Sequence, residues 1–243
     1  MYPLKKALLI ASMGVVLLAT GACTSTQASS VSSSTSVAAS SSSSASSQSE
    51  TTAVSASTAE STSDSDSIDW DSLDTTNVTL TEDGLAITEA GTYVLTGSTT
   101  GQVTVNTDGN VRIILSDATI KSSEGAAIDI ENAEMTVIEL ADGTTNTVED
   151  AATRSDEEID GAIYSSDDLV ITGTGTLNVT ANFADGIVGK DDLWIEGGTI
   201  NVTSVDDGIR GKDSVTMSDG TVVIDAQGDG IKSSNTTDLG KGI

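Results

Sequence analysis

From about Ile68 onward the chain alternates short aliphatic and β-branched runs with polar turns. Val78-Thr79-Leu80, Tyr93-Val94-Leu95, Val103-Thr104-Val105, Val111-Arg112-Ile113-Ile114-Leu115 and Met135-Thr136-Val137-Ile138 are separated by Asp-Gly, Gly-Ser or Asp-Ala steps. Runs this short, with almost no helical periodicity, predict an all-β domain. Its last third repeats itself. The chain reads DGIVGKDDLWIEGGTINVTSVD from Asp185 and DGIRGKDSVTMSDGTVVIDAQG from Asp207, opens a third copy at Asp229 as DGIKSSN, and carries a looser copy from Asp160. The period is about 22 residues. In register, Ile187, Ile209 and Ile231 share a column, as do Leu169, Leu193 and Val215, then Ile171, Ile195 and Met217, then Ile200 with Val222 and Val202 with Ile224. These columns predict the inward face, with Gly-Gly, Asp-Gly and Gly-Thr-Gly elements turning the chain between strands. A repeat unit of three short strands and no helix reads as one coil of a parallel β-helix, a single-stranded solenoid whose coils stack at about 4.8 Å. An antiparallel sandwich is the rival, weakened because equivalent residues recur in one direction. The last copy stops at Ile243 in mid-coil, so the expected solenoid is truncated at its C-terminus.

The first 67 residues have a different character. Lys5 and Lys6, an apolar run from Ala7 to Leu18 and a small-residue stretch ending at Cys23 read as a targeting segment over residues 1–23. The placement of the single cysteine resembles a bacterial lipoprotein signal, with Cys23 lipidated and the protein held by that lipid at the outer face of the cytoplasmic membrane; an ordinary secretory signal is the alternative. Residues 24–67 are almost entirely Ser, Thr and Ala. Such a stretch buries too little apolar surface to offset its ordering entropy, so it is expected to be a disordered tether spanning roughly 35 to 40 Å. The β domain is then 68–243.

Composition narrows the chemistry. With no His and one Cys there is no Ser-His or Cys-His pair, no His-ligated zinc and no intrachain disulfide. With 37 acidic residues against 10 basic ones and a formal charge of −27, nucleic acid is excluded as a partner. Stacking the repeats would align Asp160, Asp185, Asp207 and Asp229 in one acidic ladder, with Asp206 beside it, and Asp167, Asp191 and Asp213 in a second. Like charges about 4.8 Å apart repel by roughly 0.9 kcal/mol in water and about 3.5 kcal/mol at an effective dielectric near 20. Such ladders call for a counterion, and hard oxygen donors select Ca²⁺ over Mg²⁺ or zinc. The candidate ligands are Asp185, Asp191, Asp206, Asp207, Asp213 and Asp229; solvated turn residues are the alternative. Between the ladders run two columns, Val188, Arg210 and Lys232, and Ser166, Lys190, Lys212 and Ser234. Lys190, Arg210, Lys212 and Lys232 could engage a carboxylate-bearing polymer, or could only neutralise the neighbouring acids. Trp194, in a column with Val170 and Thr216, is a candidate sugar-stacking platform unless a loop or partner covers it.

Ala141-Asp-Gly-Thr-Thr-Asn-Thr, Tyr164-Ser-Ser-Asp-Asp-Leu, Gly189-Lys-Asp-Asp-Leu and above all Asp206-Asp-Gly-Ile-Arg-Gly-Lys-Asp-Ser resemble the secreted bacterial carbohydrate-binding domain-containing proteins. That resemblance implies a right-handed parallel β-helix of the pectate-lyase-like type, calcium binding, and affinity for plant cell-wall polysaccharide, notably acidic pectin-like chains. The expectation is therefore a surface-anchored, non-catalytic, monomeric protein that binds acidic or cellulosic polysaccharide. A calcium-dependent lyase, with Arg210, Lys212 or Lys232 as the base, and a structural adhesin or wall spacer remain open.

Overall fold

The computed structural model describes residues 52–55 and 63–242. The expected signal segment, its Cys23 and most of the expected tether lie outside the described residues. Within them the secondary structure is β-strand apart from two short 3₁₀ turns at Asp64–Ser67 and Trp70–Ser72, and no helix is long and apolar enough to cross a membrane. Ordered structure therefore begins before Ile68, the start of the β domain read from the sequence.

The strands, numbered in chain order, form two sheets. The first contains β1 (Thr52–Ser55), β2 (Thr75–Leu80), β4 (Gly91–Thr99), β6 (Val111–Lys121), β8 (Thr136–Leu140), β9 (Thr145–Glu149), β11 (Leu169–Gly173), β12 (Thr176–Ala181), β14 (Asp192–Ser204) and β16 (Ser214–Ala226). The second contains β3 (Leu85–Ile87), β5 (Val103–Asn106), β7 (Ile128–Asn132), β10 (Gly161–Ser165), β13 (Asp185–Gly189), β15 (Ile209–Gly211) and β17 (Ile231–Ser233). Every pairing is parallel except that of β1 with β16.

The columns read from the repeats are the register pairs of the structure. Ile187 pairs with Ile209 and Ile209 with Ile231; Leu169, Leu193 and Val215 are in line, as are Ile171, Ile195 and Met217; Ile200 meets Val222 and Val202 meets Ile224. Nearly all of these side chains are buried, and with Leu95, Val105, Ile113, Ile130 and Ile163 they make one continuous aliphatic core. Because side chains alternate faces along a strand, the same register puts the intervening polar residues outside.

The architecture differs from the expected right-handed single-stranded parallel β-helix of about 22 residues per coil. Two long strands divide their partners. Val111–Leu115 of β6 pairs with β8 while Thr119–Lys121 pairs with β9; Leu193–Ile195 of β14 pairs with β11 while Thr199–Ser204 pairs with β12. Since β8 also pairs with β11 and β9 with β12, six parallel strands close into a barrel-like ring, with the second parallel sheet beside it. Nor is the period uniform. Successive strands are offset by 17 residues at Thr79 and Thr96 and by 22 at Asp185 and Asp207, whereas the partner of Ile128 is Ile163. Excursions at 141–144 and 150–160 separate the middle strands, so sequence similarity survives only where they are absent.

Specific backbone devices divide the long strands. In β6 the turn falls at Asp117, the one non-glycine residue with positive φ among the described residues (55°), and its Oδ1 accepts the Thr145 amide at 3.0 Å. In β14 it falls at Gly198, φ 85°, where an added Cβ would stand 2.6 Å from Leu140 Cδ1. The buried Asn146 sits where the partners separate. Its Oδ1 accepts the Ala118 amide at 2.9 Å, and its Nδ2 donates to Thr144 Oγ1 at 3.1 Å and to the Thr176 carbonyl at 3.3 Å.

The 150–160 excursion is held by a buried ion pair. Arg154 and Asp150 have side-chain exposures of 1% and 0%; the guanidinium donates to Asp150 Oδ2 at 2.6 Å and to the carbonyls of Ala151, Ile159 and Gly161, and lies 4.8 Å from the Phe183 ring centroid. Burial pushes the Asp150 carboxyl up, opposed by the Asn182 amide and then by Arg154.

Two stability predictions result. Asn146→Leu strands the Ala118 amide in the core and lowers the free energy of urea unfolding by about 2 kcal/mol; a loss under about 0.5 kcal/mol would show that the asparagine is not what holds the split. Arg154→Met leaves a buried carboxylate without its partner and is expected to cost about 3 to 5 kcal/mol. An unchanged melting curve would remove that role.

Candidate functional site

The first acidic ladder forms at the start of the short strands of the second sheet. The Asp207 amide donates to Asp185 Oδ1 at 3.0 Å and the Asp229 amide to Asp207 Oδ1 at 2.8 Å, so each buried carboxylate receives the backbone of the following unit. The remaining oxygens meet cations. Arg210 donates through Nε to Asp185 Oδ2 at 2.7 Å and through its terminal nitrogen to Asp160; Lys232 contacts Asp207 and lies 3.7 Å from Asp229; Lys190 lies 3.6 Å from Asp160. Burial pushes Asp185 up, against the pull of Arg210 and the Asp207 amide. Burial alone would lower Arg210, but its hydrogen bonds and charge pairing with Asp185 and Asp160 outweigh that and hold it above its ordinary value. The Asp207 contact likewise raises Lys232. These cations offset the repulsion within the ladder.

Two groups of carboxylates bring oxygens within 4.8 Å of one another: Asp185 with Asp206 and Asp207, and Asp168 with Asp191 and Asp192. In the first, Asp185 and Asp207 already have partners on both oxygens, and only Asp206 is exposed. In the second, Asp168 Oδ1 accepts the Asp192 amide at 3.3 Å and Asp192 Oδ1 accepts the Ser214 hydroxyl at 2.6 Å. Among the described residues no Lys or Arg forms an ion pair with Asp168 or Asp192; Asp191 has Lys241 at 3.8 Å. Burial pushes Asp168 up to about 6, with the charges of Asp191, Asp192 and Asp167 adding to it and the Asp192 amide opposing. Of the two, the second group has donors free for a hard cation. Sequence reasoning missed Asp168 and Asp192, although the recurring Asp-Asp pairs at 167–168 and 191–192 were a visible signal.

Asp213 has other partners. Lys241 donates to its Oδ2 at 2.6 Å and Asn235 to its Oδ1 at 2.8 Å, and these hydrogen bonds, with Asp191, hold its carboxyl well below the usual range. Asp167 accepts the Ala133 amide at 3.0 Å.

Lys190, Arg210 and Lys212 come together. With Ser234, Asn235, Thr236 and Thr237 they line a cleft of about 330 Å³. Lys190 lies 5.4 Å from the Tyr164 ring centroid, within cation–π range. Lys212 is exposed and, unlike every other Lys and Arg among the described residues, forms no ion pair. Of the 234–237 segment only Ser234 was read from the sequence as part of this face, in the column with Ser166, Lys190 and Lys212.

Trp194 is elsewhere. It is half-buried on the first sheet and packs against Met135, Val137 and Val170, the same cluster on which Ile68 and Trp70 pack.

A family model described as "Carbohydrate-binding domain-containing protein" matches residues 81–243. A curated protein of the same description from Acetivibrio thermocellus is 35% identical over 146 residues, covering 57% of this chain and 50% of that protein, so the chain spans about half the length of this relative. Among solved structures, the polysaccharide lyase-like protein from C. thermocellum, studied as a gadolinium derivative, aligns with a TM-score of 0.64 and 38% identity over 67% of this chain and 68% of that one. The chain belongs to the carbohydrate-binding domain-containing protein family.

Proposed function

We propose that the protein is a non-catalytic module that binds an acidic polysaccharide at the cleft formed by Lys190, Arg210 and Lys212. The observation that carries this reading is Lys212: an exposed ammonium with no ion-pair partner among the described residues of a strongly acidic chain, at the edge of a cleft that also presents Ser, Asn and Thr side chains. A uronate carboxylate would complete the charge pairing that the protein leaves open there, while hydroxyl and amide groups could bind ring hydroxyls. Binding without turnover is supported by the state of the other cations. An eliminating base must be able to lose its proton, and Arg210 and Lys232 are stabilised as cations by their acids.

Calcium is part of the same proposal. Asp168, Asp191 and Asp192 are the residues that would hold it, since their oxygens converge and Asp168 and Asp192 have no ion-pair partner among the described residues. A bound Ca²⁺ would supply the missing positive charge and could bridge to a glycan carboxylate. In this reading Cys23 carries the lipid that holds the module at the cell surface.

Lys212→Ala should weaken retardation in polygalacturonate gels by about tenfold, the loss of one charge-assisted contact, while leaving thermal unfolding unchanged. Equal retardation of variant and wild type would sink the cleft assignment. A second prediction concerns pH and metal. Asp168 is raised to about 6, and so is Asp129, by burial, then by Glu131 and, more weakly, Asp156, with Arg154 opposing. An acid with a raised folded-state pKa leaves the folded state holding more protons than the unfolded one, here between about pH 4 and 6, so stability in EDTA should rise as pH is lowered from 7 toward 5. Below about pH 4 the trend reverses, because protonating Asp213 removes the stabilisation reflected in its lowered pKa. Saturating calcium should raise the melting temperature at pH 7 and flatten the slope between 7 and 5. The same slope with and without calcium would remove the metal from Asp168.

A further inference from the structure

The segment from Ser63 to Leu73 crosses the first sheet as a strap. The Ser63 amide donates to Glu196 Oε1 at 2.6 Å, the Trp70 indole donates to the Ser65 carbonyl at 3.1 Å, and Ile68 and Trp70 rest on Met135, Val137 and Val170. The contact is not closed along its length. A groove of about 340 Å³ remains between strap and sheet, lined by Ser65, Asp66 and Trp70 on one side and by Arg112, Val137, Glu139, Thr172, Gly173 and Glu196 on the other.

We propose that this strap groove is a second saccharide site, distinct from the Lys212 cleft, and that it takes a neutral hexose chain. An aromatic side chain, Trp70, lines the groove together with polar groups of the kinds that recognise hydroxyls: carboxylates that accept, a guanidinium that donates, and a threonine hydroxyl that does both. Charge decides the class of sugar. The lining has three acids, Asp66, Glu139 and Glu196, and one cation, Arg112, whose Nε is already bonded to Glu139 Oε2 at 2.7 Å. A uronate would be repelled here, whereas uncharged hydroxyls can donate to the carboxylates. The two sites therefore sort glycans by charge: the Lys212 cleft takes acidic chains and the strap groove neutral ones.

The chain has two tryptophans; Trp70 lines the groove and Trp194 packs on the same apolar cluster, so indole emission is a probe for this site and Trp70→Ala identifies the reporting ring. The test is to titrate the protein with cellohexaose, mannohexaose and laminarihexaose while recording tryptophan emission, with trigalacturonate as the contrast, and to repeat the titrations by calorimetry with Trp70→Ala and Thr172→Val. The expected result is a saturable emission change with at least one neutral hexasaccharide, none with trigalacturonate, and binding weakened about tenfold or more in both variants. Lys212→Ala should bind the neutral sugar as wild type does. If Trp70→Ala releases the strap, as judged by circular dichroism or proteolysis, Thr172→Val decides, because it removes one hydroxyl and leaves the strap's anchors intact. No emission change and no heat with any of the three neutral sugars overturns the proposal, as does equal binding by Thr172→Val. Either result leaves the acidic cleft standing or falling on its own measurement.

Discussion

Strand register is the constraint on which the rest depends. A parallel ladder places each residue beside its counterpart in the next strand, so a slip of one position would turn the aliphatic columns toward water and bring the acids into the core. Leu169, Leu193 and Val215 or Ile187, Ile209 and Ile231 can stay buried only in the observed pairing. The same pairing assembles the functional chemistry: Asp185, Asp207 and Asp229 are neighbours because the isoleucines two residues after each of them are. Core and surface are thus fixed by one set of hydrogen bonds, and the ladder of like charge follows from the packing.

That ladder is tolerated because its cations come from the same strands. Arg210 reaches back to Asp185 and Asp160, and Lys232 to Asp207 and Asp229, each crossing the stack that carries it. Backbone amides satisfy the remaining oxygens of Asp185 and Asp207. The outcome favours neutralisation as the role of Arg210 and Lys232, and it leaves Lys212 as the cation with capacity to spare. Asp168 and Asp192 are the converse case, acids that form no ion pair with a Lys or Arg among the described residues.

Much of this was legible in the sequence, for identifiable reasons. The columns after Asp185 were readable because no insertion interrupts them, and the all-β character followed from short alternating runs. The closure into a six-strand ring was not readable, because it depends on β6 and β14 each dividing between two partners, and the marks of that division are one aspartate with positive φ and one glycine. The offset in the middle of the chain was masked by 150–160, a segment fixed by Arg154 rather than by any repeat. Trp194 was recognised as an outward residue, but Ile68 and Trp70, which share its Met135, Val137 and Val170 cluster, lie more than a hundred residues away in sequence, at the very start of the expected β domain, with no repeat column to place them. Lys241, which binds Asp213, lies outside any repeat column.

The constant 22-residue offset of the last units has a consequence for how such a protein can change size. Because Asp185, Asp207 and Asp229 follow one another with the same spacing and the same inward isoleucine, duplication of one whole unit would add another rung with its hydrophobic and charged positions already in place. A copied segment of another length would shift the alternation unless its extra residues were absorbed in a turn, as they are at 141–144 and 150–160. The C-terminal third is thus the part of the chain where lengthening by copying meets the least structural resistance, and where related proteins are expected to differ in copy number. In the Asn146 and Arg154 regions they should differ only by substitution.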